Sequence, residues 1–339
     1  MNLIITNRIF LMIGLMLFWV NSVQPQDTTY VDVMDLTESK GVEWVNQIPH
    51  LKDANKKIKK GWLKRLILGK DDMTSIQKPV EVIAFNPENC MIFEQGNGTL
   101  FAVEQDKIKI PKLLRKNERY FPSLVGACLL PDNSILFTDS KLNKIFSLSE
   151  DRNTLRELNA RLELSQPTGI AYSQKNNQIW VVETGKHQIC ILDTHGKPVK
   201  TIGQRGTDTG EFNFPTSLWI DRKGHAYVVD ALNYRVQIFD AEGHFINMFG
   251  ENGNGTGFLA RPKGVATDSY GHIYVVDALF HTVQIFDKSG NFLYRFGNQG
   301  RDTAEFWMPS GIYIDKANYI YVADSYNSRI QIFKLNYTP

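Results

Sequence analysis

The chain has 339 residues, 42% hydrophobic and 22% charged, which suits a globular protein with one large core or two ordinary ones. Its 38 basic and 36 acidic residues leave a net charge of +2, so no global field points to nucleic acid. The three cysteines, Cys90, Cys128 and Cys190, are odd in number and form no CxxC pair, which excludes a disulfide framework and leaves them as small apolar core residues.

At the N-terminus, Arg8 precedes the apolar run Ile9 to Val20, and the polar stretch Asn21 to Gln26 follows. This is the order of a signal peptide, and Val20 and Ser22 suit a cut after Ser22. Residues 1–22 are therefore expected to be a signal peptide, and the protein periplasmic or extracellular. Twelve apolar residues fall short of the roughly 20 that span a membrane, although an uncleaved N-terminal anchor is the other reading. Residues 23–41 are expected to be a flexible segment. The stretch 42–50 is β-prone, and its role follows from the repeats below. Residues 51–73 are expected to form a basic amphipathic helix. Lys52, Lys56, Lys57, Lys59, Lys60, Lys64, Arg65 and Lys70 face a single acid, Asp53, while Ile58, Trp62 and Leu66 fall at helical spacing. Residues 52–70 either touch anionic lipid or an acidic partner, or pack their apolar side on the rest of the chain with the lysines solvated; the second use is favoured.

Internal repeats dominate the remainder. The segments PTSLWIDRKGHAYVVDALNYRVQIFD (215–240), PKGVATDSYGHIYVVDALFHTVQIFD (262–287) and PSGIYIDKANYIYVADSYNSRIQIFK (309–334) overlay directly. A weaker copy begins at Pro167, and degenerate copies lie around 124–148 and 79–103. An acid ends the second apolar run of every copy: Glu94, Asp139, Glu183, Asp230, Asp277 and Asp324, spaced 45, 44, 47, 47 and 47 residues apart. Each unit is rich in Val, Ile, Tyr and Phe, with turn residues between short runs and no 3.6-residue period, so helical solenoids are excluded. In the fifth copy, 264–268, 273–277, 282–287 and 292–296 read as four strands, innermost to outermost. The expected fold is all-β, a six-bladed β-propeller over residues 79–335. The sixth copy stops after its third strand, so 42–50 is expected to close the ring against Ile330 to Leu335.

The Pro-x-Gly-(Ile/Val) opening, the (Ile/Ala)-Tyr-Val-(Val/Ala)-Asp strand and the Arg-(Val/Ile)-Gln-Ile-Phe strand resemble NHL repeats. The stretches ARPKGVATDSYGHIYVVDALFHTVQIFD and YIYVADSYNSRIQIF resemble a bacterial exported group of six-bladed NHL propellers. The resemblance covers about residues 42–335, is most specific in the last three blades, and weakens in the first two. It implies binding of protein or RNA on one face of the disc, with a minority of related propellers being enzymes. Relatives that are ubiquitin ligases carry Cys/His zinc modules absent from this sequence.

The six repeat acids could ring a cation, but a structural role outweighs this, because Asp and Glu accept backbone N–H groups of their own turns. Asp230 with Arg235 and Asp324 with Arg329 are expected pairs, whereas Thr282 leaves Asp277 without one. His225, His272 and His244 sit in turns of one face. His187 and His281 share a repeat position on the other, and are expected as solvated turn residues. No metal set is assigned among them. Resemblance to calcium-dependent lactonases would require a Glu/Asn/Asn/Asp set in the channel, and to amidating lyases, zinc-binding channel histidines. The inner strands VEVIAFN, VGACLL, TGIAYS, TSLWID, KGVATD and SGIYID are largely apolar, and no GxSxG, HExxH or Walker A motif occurs. The expected binding face carries Lys263, Tyr234, Phe280, His281, Tyr326 and Trp307, with Phe306 and Met308 beside them, because exposed aromatics with a few cations make interface anchors. The sequence thus describes a non-enzymatic exported propeller that binds a protein or peptide, as a monomer, without nucleic acid and without an assigned cofactor. The alternative is a hydrolase or lyase, lactonase-like or amidating-lyase-like, with a divalent metal in its channel. Asn97-Gly98-Thr99 and Asn254-Gly255-Thr256 are glycosylation sequons that matter only in a eukaryotic host.

Overall fold

The short β-rich runs pair with their sequence neighbours into six four-stranded antiparallel sheets. The computed structural model describes residues 41–49, 75–105, 107–116 and 120–336. The expected signal peptide, most of the segment after it and the basic stretch 51–73 lie outside the described residues.

The innermost strands are Pro79–Asn86, Leu124–Leu129, Pro167–Ser173, Pro215–Ile220, Pro262–Thr267 and Ile312–Ile314. Each touches the innermost strand of the next blade, and the sixth touches the first, so the ring is closed. Five blades run inner to outer in chain order; the sixth takes its outer strand, Val42–Ile48, from the far end of the chain. That strand pairs antiparallel with Arg329–Leu335, from Val42 opposite Leu335 to Ile48 opposite Ile330, with a bulge near Val45. This is the closure expected from the truncated sixth repeat. Polar ties reinforce it: Trp44 Nε1 donates to Gln331 Oε1 at 3.1 Å, and an Arg329 guanidinium nitrogen donates to Gln47 Oε1 at 3.0 Å.

Alternation along each strand sends apolar side chains to both faces of a blade, and each face is covered by the neighbouring blade. The core is therefore six apolar clusters, one per blade interface. The closing strand serves two of them. Val42 and Trp44 pack with the cluster between blades five and six, while Ile48 packs with the one between blades six and one. All three cysteines are buried and unbridged. A five-residue helix, Lys112–Lys116, lies in the crossover from blade one to blade two.

The crossover loops turn inward at a glycine. Gly297 has φ +86°, and a Cβ there would lie 2.3 Å from the Phe306 ring, so only glycine lets this loop fold over the ring. Phe306 is wholly buried against Phe296 and Phe333, with centroids 6.2 and 5.8 Å away. It belongs to the core, which corrects its expected place on the binding face.

Ile48 is 2% exposed and sits in the seam where the two chain ends meet. Ile48→Ala is expected to cost about 2–5 kcal/mol in urea unfolding, the usual range for truncating a buried isoleucine. A loss under about 0.5 kcal/mol would mean that the seam adds little to stability.

Candidate binding site in the central channel

The acid ending each blade's second strand is fully buried in every blade but Glu183, which is 1% exposed. Each reaches back to the crossover loop that enters its own blade. Glu94 accepts the N–H groups of Lys78, Gly96 and Asn97 at 2.6, 2.8 and 2.6 Å. Asp139 accepts those of Ser123, Lys141 and Leu142. Glu183 accepts the Ser165 N–H and a Gln188 amide, with Lys186 at 2.8 Å. Asp230 and Asp324 accept the N–H groups of Asn213 and Trp307 and pair with Arg235 and Arg329 at 2.8 and 2.7 Å. Asp277, whose repeat-encoded arginine is replaced by Thr282, accepts four backbone N–H groups instead, from Ala260, Arg261, Leu279 and Phe280. The ring of carboxylates is thus occupied in fixing where each loop lands.

The leading ends of the six inner strands surround a chamber of about 460 Å³. Its rim carries Lys78, Arg261, Lys263, Met308 and the 56%-exposed Tyr326; its walls include Ala127, Ile170, Leu218, Val265 and Ile312, with the hydroxyls of Thr168, Thr216 and Ser217. Lys78 Nζ stands 5.9 Å from the Tyr326 ring centroid. Trp219 and Tyr313 meet edge to face at 5.7 Å and line both this chamber and a second one of about 600 Å³ beyond it. Trp219 is held by its Nε1 donating to Thr267 Oγ1 at 2.9 Å. The pair forms the floor between the two cavities.

Of the described residues lining the first chamber, Glu81 alone is a carboxylic acid, and none is histidine. Glu81 Oε1 accepts the Val82 N–H at 2.9 Å, and lies so close to Gly311 that a Cβ there would be 2.7 Å away. Burial pushes its carboxyl up to about 8, against the lowering effect of that N–H. The Tyr313 hydroxyl is pushed up to about 12, chiefly by burial and then by Asp315, Cys128 and Glu81. Burial raises the Cys128 thiol as well, so it is held as an inert thiol.

At the opposite end, Asp221, Asp268 and Asp315 each accept N–H groups of their own turn and a tyrosine hydroxyl, from Tyr227, Tyr274 and Tyr321 at 3.2, 3.0 and 3.0 Å. His225 and His272 add a ring nitrogen to Asp221 and Asp268 at 3.1 and 2.7 Å, and His244 does so to Asp240 at 3.0 Å. Each histidine serves its own turn. Among the described residues no three His, Cys, Asp or Glu side chains gather where they could hold a metal ion.

His187 and His281 are not solvated turn residues, which corrects that expectation. Both adopt left-handed backbone, and each Nδ1 accepts a backbone N–H from the next blade's loop: Phe214 to His187 at 3.1 Å, Met308 to His281 at 3.0 Å. An acceptor nitrogen carries no proton, and burial accordingly holds His281 below the usual histidine range, against the raising effect of Asp277 and Asp324.

Lys263 and Tyr326 both line the chamber, and Trp307 lies beside Tyr326 at 6.2 Å with Arg301 over its ring at 4.7 Å. Tyr234 packs partly into the cluster between blades four and five, and Phe280 is half-buried; neither is among the chamber-lining residues. The sequence reading missed Lys78, Arg261, Glu81, Trp219 and Tyr313. A partial signal for two of them exists: Lys78 and Arg261 directly precede the prolines that open inner strands, although Gln166 and Phe214 at the same position do not line the chamber.

A closed ring of six four-stranded blades around such a channel defines a six-bladed β-propeller. A family model described as 6-bladed beta-propeller matches residues 264–339, and the NHL repeat model matches residues 164–192. Comparison with curated proteins finds no match. Among solved structures, virginiamycin B lyase from Staphylococcus aureus is similar at 14% identity and TM-score 0.56, over 78% of this chain and 96% of that one. Auxiliary nutrient binding proteins from Bacteroides ovatus and Bacteroides thetaiotaomicron are similar at 14% identity, with TM-scores of 0.60 and 0.59, over 76% of this chain and 69% of each of those. At such identities the likeness is one of fold. No helix among the described residues is long and apolar enough to cross a membrane.

Glu81 provides a pH test. Its carboxyl titrates near 8 when folded and near 4.5 when unfolded, so the folded state binds the extra proton between those values and wild-type stability falls as pH rises through that window. Glu81→Gln removes this loss. The variant is expected to gain on wild type by at most about 1.4 kcal/mol per pH unit up to about pH 8, then hold a constant lead, in melting curves from pH 5 to 9. Parallel profiles would mean that the carboxyl is well hydrated through the channel.

Proposed function

We propose that this chain is an exported, non-enzymatic binding propeller that receives a protein or peptide segment on its loop-bearing face, in the chamber above Trp219 and Tyr313. The observation that carries this reading is the chamber itself. It opens onto the face that bears the crossover loops, its size suits a compact ligand or a few peptide residues, and its walls are apolar with a few hydroxyls. Tyr326 stands exposed at the rim, with Trp307 and Arg301 outside it, a usual composition for an anchoring patch. The blades are braced by buried carboxylates, so the loops can vary in sequence without disturbing the core.

A metal-dependent hydrolase or lyase is the alternative. Among the described residues its channel would have to work with Glu81 as the sole carboxylate of the chamber, an acid whose pKa favours the neutral form. The Bacteroides structures named as nutrient binding proteins share the fold, which is compatible with a binding use of it. Export rests on the order of charge, apolar run and polar residues at the N-terminus.

Panning a random-peptide display library on the purified chain is expected to enrich peptides of about micromolar affinity, and Tyr326→Ala to weaken them about tenfold or more in titration calorimetry. Enriched peptides that bind the variant and wild type alike would place recognition elsewhere. Failure to enrich any, together with metal-dependent turnover of a lactone or ester panel, would overturn the binding reading in favour of the enzyme.

A further inference from the structure

Three cations stand at the chamber rim, and among the described residues no carboxylate forms an ion pair with them. Lys78 and Arg261 enter from the loops that lead into blades one and five, and Lys263 from the start of the blade-five inner strand. Among the described residues the side chains of Arg261 and Lys263 make no hydrogen bond or ion pair, and Lys78 makes only its approach to the Tyr326 ring. The two acids nearest in the repeat, Glu94 and Asp277, are unavailable, because they accept the backbone N–H groups of Lys78 and Arg261 themselves. Lys263 is half-buried, and its ammonium is held below the usual lysine range by burial first, then by Arg261 and Lys78. Crowding a partly desolvated ammonium with two like charges is unfavourable for the empty protein. A group kept in such a state is what a site for an opposite charge requires.

We propose that Lys78, Arg261 and Lys263 form an anion subsite at the chamber rim, which takes a carboxylate or phosphate group of the ligand while the apolar walls take its body; this deepens the binding reading above and rests on it. The planar guanidinium of Arg261 suits the two oxygens of either group, and the lysines supply point charges. Glu81 does not oppose an anion, since burial keeps its carboxyl protonated at neutral pH.

The test titrates succinate and, separately, inorganic phosphate into the purified chain at constant ionic strength, following the melting temperature. A saturable rise is expected with at least one of them in wild type, and at least a tenfold weaker apparent affinity in Lys263→Met and Arg261→Gln. Lys263→Met is also expected to melt higher than wild type without anion, because it removes the crowded charge. Arg261→Gln changes an exposed side chain, so it keeps the test open if the other variant fails to fold. A response to succinate alone identifies a carboxylate ligand, and to phosphate alone a phosphorylated one. No saturable rise, or an equal rise in all three proteins, would overturn the subsite. Peptide capture and its dependence on Tyr326 would be untouched by that result, and so would remain a separate measure of the binding reading.

Discussion

A buried carboxylate at the end of each blade's second strand is the contact on which the rest of the molecule depends. A propeller must bring every chain crossover back to the axis at the same height, and a loop of ten or more residues does not do this unaided. The acid solves it locally. It sits in the core and gathers the N–H groups of its own turn in blades one, two and five, and side-chain donors in blades three, four and six. It also takes the N–H of the residue that leads into the blade's inner strand, at 2.6–3.0 Å in five blades and through two such groups in blade five. Where an arginine follows five residues later, as in blades four and six, its guanidinium also binds carbonyls of the same loop, so the loop is gripped from two sides. Removing such an acid would strand several buried donors together, a cost well above that of one lost hydrogen bond.

The same contact shapes the channel. Because Glu94 and Asp277 hold the backbones of Lys78 and Arg261, those side chains are aimed at the rim by groups that do not neutralise them. The opposite end of the channel is arranged otherwise. There Asp221, Asp268 and Asp315 are tied to tyrosine hydroxyls and, in two blades, histidine ring nitrogens, so that their hydrogen bonds are made within each blade. One end of the disc therefore presents Lys78, Arg261 and Lys263 without an ion pair among the described residues, and the other presents carboxylates held within their own blades beside Arg222, Lys223, Lys288 and Lys316, with Trp219 and Tyr313 between the two ends. The two ends differ in chemistry although the blades that build them are repeats.

The architecture was legible because it is periodic. The spacing of the acids, the four strands of blade five and the missing outer strand of blade six together called for a closing segment near the N-terminus, and Val42–Ile48 fills that place against residues 330–335. Side-chain direction was less legible wherever a neighbouring blade decides it. Phe306 and Trp307 are adjacent aromatics; the left-handed bend at Gly297 sends the first into the core and leaves the second outside. His187 and His281 read as turn residues because their donors, the N–H groups of Phe214 and Met308, belong to the next repeat. Glu81 was hidden in an apolar strand, and only closure of the ring places it inside a chamber whose burial changes its chemistry.

A crystal structure of the chain bound to a peptide selected on it addresses the central claim directly. The account predicts density in the chamber above Trp219 and Tyr313, with the peptide's side chains along the inner strands and Tyr326 against it at the rim. Density on the outer edges of the blades, or in the second chamber beside Asp221 and Asp268, would contradict it.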